Sequence, residues 1–316
     1  RKFGADSEKH MRAWLQRILQ NAKPDAPSAE AAADEADGTE LCRSSVPRDL
    51  FAMLWEQLRL AGSTKNGALL LATVQAAVRV VNRWTAAECA GLSVSRPLDA
   101  ICAVANNMEA CVQHAAELIG HVQGLLSQTG LLATAPAADL GALSATFDDA
   151  YRAALLTLRD LVLADVKPLL KEVSAITTWR ASAGIRAVLA TVADYFGDFE
   201  PRLLPGGYRG LSAEVLTSLL ANYVEVLLLG FRHHAAIVKA NAALDAQRAE
   251  DPLASIVGHS PTPLDPRWKE LVLEQFQQDL TALKTYFREF VSDSTMRLSV
   301  GAVESLPMLL ECEPTD

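Results

Sequence analysis

The stretch LDAICAVANNMEACVQHAAELIGHVQGLL, residues 98–126, decides the fold. Its apolar positions are Leu98, Ile101, Ala105, Met108, Val112, Ala115, Ile119, Val122 and Leu126, alternating three and four residues apart without a break. That is the period of one helix face, sustained for about four heptads. A second series runs Leu273, Phe276, Leu280, Leu283, Phe287, Phe290, and a third Leu155, Leu158, Val162, Val166, Leu169. No single helix can bury such a stripe by itself, so helices must pack in bundles.

Composition points the same way. Half of the 316 residues are apolar, only 6% are aromatic, and Val, Ile and Thr form no short alternating runs. Ala and Leu dominate, which favours helix over strand. The expected class is all-α, with helices over 2–22, 47–61, 67–89, 97–128, 138–173, 178–199, 212–249, 267–292 and 297–311. Starts are expected at Ser44-Ser45-Val46-Pro47, Ser95-Arg96-Pro97 and Asp265-Pro266, with Ser212 capping the helix from Ala213. Gly206-Gly207, within 201–210, reads as a loop. Segment 24–46, rich in Pro, Ala, Ser and acids, is too polar to order itself, and 258–263 reads as a second loose connection. Pro168 is expected to kink or end its helix, and Gly230 interrupts another. The division expected is a first bundle over 1–175 and a second over 176–316, with no fixed-period repeat.

Charge excludes several functions. The net charge is −9 and no run of Lys and Arg exceeds two residues, so no nucleic-acid partner is expected. The most apolar stretch, 213–231, holds Glu214, Asn222 and Glu225, costly at a bilayer centre; it reads as a buried helix and not as a transmembrane segment. Five cysteines, odd in number and without CxxC spacing, read as reduced cytosolic thiols. The absence of a Met at Arg1 suggests a piece of a longer protein.

Catalytic chemistry is hard to find. Asp148-Asp149 resembles the paired acids of terpenoid synthases, but Arg152 stands where a further acid is needed. Asp194 and Asp198 share a helix face without a matching acid pair elsewhere, so they read as groups holding a helix end. Cys111, His114 and His121 have near-helical spacing, yet the stripe's register turns both histidines outward. His233 and His234 point about 100° apart. Phosphate loops and nucleophile motifs are absent, and no catalytic residue, metal or cofactor is expected. Asn106-Asn107 is a poor choice in mid-helix. At outward register positions, the pair would serve either hydrogen bonds to a neighbouring helix end or loop, or a partner contact.

These oddities form an ordered series. It includes Phe3 with Trp14-Leu15-Gln16-Arg17-Ile18-Leu19, then Pro47-Arg48-Asp49-Leu50-Phe51, then Ile101 to Asn107 followed by Cys111. Next come Asp165-Val166-Lys167-Pro168-Leu169-Leu170 with Trp179, Ala190 to Phe199 with Tyr223, and Asp279 with Tyr286-Phe287. In order and spacing the series resembles the C-terminal region of the exocyst subunit Sec-six family, which includes tumour-necrosis-factor-inducible relatives. The Ala-rich linker and the break at 258–263 depart from the family, and the chain stops before its final helix. The resemblance implies an elongated stack of antiparallel helical bundles of the tethering-complex rod type. It implies a cytoplasmic, non-enzymatic protein of exocytosis, peripheral at the plasma membrane. Its partners would be other exocyst subunits, plasma-membrane SNARE proteins and Sec1/Munc18-like proteins. A variant of the reading is a relative acting with Ral-type GTPases on membrane protrusions. Under either, Asp194, Tyr195 and Asp198 become framework residues beside a loop between bundles.

Overall fold

The structure, a computed structural model, describes residues 2–22, 41–128, 137–173, 183–250 and 267–306. Among them are nine α-helices and no strand. These are α1 (Lys2–Gln20), α2 (Val46–Ser63), α3 (Gly67–Ala90), α4 (Leu98–Gln128), α5 (Ala137–Val173), α6 (Ala183–Phe199), α7 (Pro205–Glu250), α8 (Trp268–Phe287) and α9 (Asp293–Glu304). Two compact units divide the chain. One comprises Arg1–Asp160 and Gly197–Leu211, the other Leu161–Phe196 and Ser212–Asp316.

In the first unit α1 packs on α3 and α2, and α2 packs on both α3 and α4. Its core joins Leu50 and Leu54 of α2, Val74 and Val81 of α3, and Ile101, Met108 and Val122 of α4. Phe147 of α5 lies with its ring centroid 5.9 Å from that of Phe51 and 6.4 Å from that of Trp84. Such tilted and edge-on ring pairs add to the stabilisation that apolar burial supplies. The stripe read from 98–126 is buried or half-buried throughout. The buried arc of α4 is wider than that stripe, however, and takes in Cys102, Val104, Asn106, Ala110, Cys111 and Leu118.

In the second unit the buried side chains come from Val162, Val166 and Leu170 of α5, Val188 and Val192 of α6, Leu219 of α7, and Leu283 and Phe287 of α8. Phe196 meets Phe287 and Phe290 edge-on, with centroids 5.9 and 5.2 Å away. α7 is long and apolar enough to cross a membrane by length and composition. Val215, Leu216, Leu219, Leu220, Tyr223 and Leu227 are buried, whereas Leu229 and Val238 further along the helix are exposed.

Several expectations need correction. α7 begins at Pro205, not at 212, so Gly206-Gly207 forms its first turn instead of a loop. Proline suits that position because a first-turn N–H would have no intrahelical acceptor. Ser212 is therefore not a cap; it lies fully buried inside α7. α9 starts at Asp293, with Ser292 accepting from the Thr295 amide at 3.2 Å, and α8 stops at Phe287. Pro168 does not end α5, which continues to Val173. The last residues of the segment read as too polar to order are packed: Ser45 and Val46 are buried. The expected cap at Asp265-Pro266, the connection 258–263, Trp179, Cys312 and residues 23–40 lie outside the described residues.

Candidate functional site

The most elaborated polar arrangement in the first unit is built on α4. Asn106 is fully buried there, contrary to its outward register position. The register assumed one neighbour for α4, whereas chain segments cover the helix on further sides. Asn106 Nδ2 donates to the carbonyl oxygens of Cys42 at 2.8 Å and Arg202 at 2.7 Å. Its Oδ1 accepts from the Leu204 amide at 2.9 Å. An asparagine side chain has two donor hydrogens and one acceptor oxygen, and all three groups are used. Asn107 is half-buried, and its Oδ1 accepts from the Ser44 amide at 3.1 Å. The two asparagines thus bind two separate segments, 42–44 and 202–204, to one helix.

One turn further along α4, Glu109 reaches the start of α7. Its carboxylate lies against the Gly206-Gly207 backbone at that helix start. A Cβ at Gly206 would overlap Glu109 Oε1, and one at Gly207 would lie 3.2 Å from Oε2. Glycine at both positions therefore allows the carboxylate to approach the backbone. A negative group at a helix N-terminus satisfies unpaired N–H groups and the helix dipole. Burial pushes the Glu109 carboxyl up, opposed by the nearby Gly207 amide and the Arg209 charge. Tyr151 of α5 stands beside the same turn, and burial with the Glu109 charge pushes its hydroxyl up to about 12.

Arg202 completes the arrangement. Its Nε donates to Asp99 Oδ1 at 2.8 Å, and its guanidinium also hydrogen-bonds the Asp198 carbonyl oxygen. The Asp198 carboxylate lies 3.6 Å from Arg202 Nη1. Asp198 and Asn106 therefore meet on one residue, one at its side chain and one at its carbonyl. Asp194 and Tyr195 belong to the second unit. There Tyr195 Oη donates to Asp165 Oδ2 at 2.7 Å. Asp194 is exposed, and its charge helps burial push the Tyr286 hydroxyl up to about 12.

The second unit holds a buried polar pair of its own. Tyr223 Oη donates to Asp279 Oδ2 at 2.7 Å, and Gln275 Nε2 donates to Asp279 Oδ1 at 2.7 Å. Burial pushes the Asp279 carboxyl up, and the two donated bonds pull it partly back.

Asp148 and Asp149 are exposed on α5. His114 and His121 are not outward but half-buried, covered by α2: their ring centroids lie 5.2 Å from Phe51 and 4.3 Å from Trp55. Cys111 is fully buried, and burial holds its thiol well above the usual range. Among the described residues no group of three His, Cys, Asp or Glu side chains is placed to hold a metal. Glu109 and the paired glycines were missed in the sequence. The available signal was Asn106-x-x-Glu109 on one helix face and Pro205-Gly206-Gly207 at a helix start.

These features define a protein of packed helices whose buried polar side chains tie chain segments to one another. The family model described as Exocyst complex component Sec6 matches residues 1–316, and the chain belongs to that family. No curated protein matches it in sequence. Among solved structures it is similar to the one described as the crystal structure of the C-terminal domain of the exocyst subunit Sec6p. The TM-score is 0.60 at 14% identity, over 100% of this chain and 75% of that one. The helical-bundle fold is thus common to the two chains.

Proposed function

We propose that the chain acts as a vesicle-tethering scaffold in exocytosis, docking other exocyst subunits and, through them or directly, plasma-membrane SNARE and Sec1/Munc18-like proteins. The family match over residues 1–316 carries this reading. The geometry supports it, because the polar side chains of Asn106 and Asn107 are spent on internal hydrogen bonds. What such a fold offers to other molecules is its exposed helix faces, the material of helix-in-groove recognition. Asn106, Asn107, Tyr195 and Asp198 serve in this reading as framework residues, and Asp194 as an exposed contact at the edge of α6. The protein works in the cytoplasm at plasma-membrane sites of secretion.

Acute depletion of the full-length protein in its own cells tests the function. Secretory vesicles are expected to accumulate undocked beneath the plasma membrane, with export of a secreted reporter falling in step. Unchanged docking and export would overturn the reading. Altered membrane protrusions with intact export would favour the relative that acts with Ral-type GTPases.

A further inference from the structure

The last described helix carries two features that the fold itself does not use. α9 buries Val300, and its Ser299 Oγ lies 3.0 Å from Thr217 Oγ1 of α7. Its other side faces solvent: Ser294, Arg297, Leu298, Gly301 and Ser305 are all exposed. Leu298 is 81% exposed, more than any other large apolar side chain among the described residues.

Gly301 is the first unused feature. It stands inside α9, where alanine would make a more stable helix. A Cβ there would meet nothing within 4 Å, so no contact among the described residues requires glycine. The second feature is charge. Lys284, Arg288 and Arg297 line a groove between α8 and α9 together with Asp293 and Glu304. Lys284 pairs with Glu304, while neither Arg288 nor Arg297 has an acidic partner among the described residues. Met296 and Gly301 line the same groove, which joins it to the exposed face of α9.

An exposed apolar anchor, a glycine open to close approach and two guanidiniums without an acidic partner among the described residues are the elements of a helix-binding surface. We propose that the α8–α9 groove and the outer face of α9 dock an acidic amphipathic helix of another exocyst subunit. Its carboxylates pair with Arg288 and Arg297, and its backbone crosses Gly301 beside Leu298. A protein helix suits the site better than an anionic membrane. Discrete carboxylates can match the arginines and avoid Asp293, whereas a continuous negative surface on a chain of net charge −9 cannot. The inference rests on the tethering reading, since it takes its partner from the same assembly.

The test titrates the full-length protein with each purified exocyst subunit in turn, and separately with vesicles of phosphatidylcholine and phosphatidylserine. Three variants are compared: Arg288→Glu with Arg297→Glu, Leu298→Asp, and Gly301→Trp, which fills open space without entering the core. Gly301→Ala is the folded control and should raise Tm. One subunit is expected to bind the wild type, and each variant to weaken that binding about tenfold or more with Tm held. Acid-to-Lys changes in the partner helix should restore binding to the double Glu variant. Wild-type affinity in every variant would overturn the docking site and leave the tethering reading standing. Binding by no subunit would overturn both. Vesicle binding that the variants abolish, with subunit binding intact, would replace the partner helix by a lipid surface.

Discussion

The Leu204 amide donates to Asn106 Oδ1 at 2.9 Å, joining the start of α7 to the middle of α4 across 98 residues of sequence. The same side chain donates to the carbonyls of Cys42 and Arg202. Replacing it by alanine would leave three backbone groups without their partner in a buried place. Each such loss costs about 1–3 kcal/mol, with partial relief from water. Asn106→Ala should therefore destabilise the protein by about 2–4 kcal/mol in urea unfolding. Asn107→Ala removes a single bond from a half-buried residue and should cost about 1 kcal/mol. Equal effects of the two substitutions would contradict the assignment.

Glycines in this chain should respond with opposite signs. A Cβ at Gly206 would overlap Glu109 Oε1 and displace the carboxylate from the α7 terminus, so Gly206→Ala should cost about 1 kcal/mol, the worth of a cap. Gly124 on α4 is exposed, and a Cβ there meets nothing within 4 Å. Gly124→Ala should stabilise by about 0.5–1 kcal/mol. Combining Gly206→Ala with Glu109→Ala should cost less than the sum of the two, because both remove the same contact. Thermal unfolding of the four variants measures this.

Asp279 predicts a pH dependence. Its native carboxyl is held above the usual carboxylate range by burial. The unfolded carboxyl titrates near pH ~4, so between that pH and the raised native value the folded state binds more protons than the unfolded one. Stability then falls as pH rises through this window and is flat in this respect above it. Glu109, also raised by burial, contributes with the same sign. Asp279→Asn removes the first contribution while keeping an acceptor for Tyr223. Urea midpoints of wild type and variant should accordingly converge at low pH and diverge in favour of the variant towards neutrality. A difference that stays constant with pH would contradict the raised carboxyl.

Pro168 stands exposed in the interior of α5, without the N–H that would bond back to Ala164. Pro168→Ala restores that bond and should stabilise by about 1–3 kcal/mol. A drop in Tm on this substitution would show that a proline bend in α5 is needed by its packing.

Much of this architecture is legible in the order of residues, and the failures have a common cause. The α4 stripe is set by local period, and its nine positions fall on the buried side as expected. The stripe's register turns Asn106 outward because a single stripe assumes a single packing neighbour. The segments that cover it, at Cys42 and at Arg202 to Leu204, lie far away in sequence. The same register turns His114 and His121 outward, yet Phe51 and Trp55 of α2 close over them. Gly206-Gly207 reads as a loop by propensity, whereas it forms the first turn of α7 against the Glu109 side chain of α4. Local rules thus gave element type, while caps and polar partners depended on tertiary contacts.

The central claim, membership of a working exocyst, has one direct measurement. The full-length protein, tagged at its own locus and purified under mild conditions, is weighed against everything that copurifies by quantitative mass spectrometry. The account predicts the other exocyst subunits in amounts comparable to the tagged chain. Recovery of the tagged chain without any of them would contradict it.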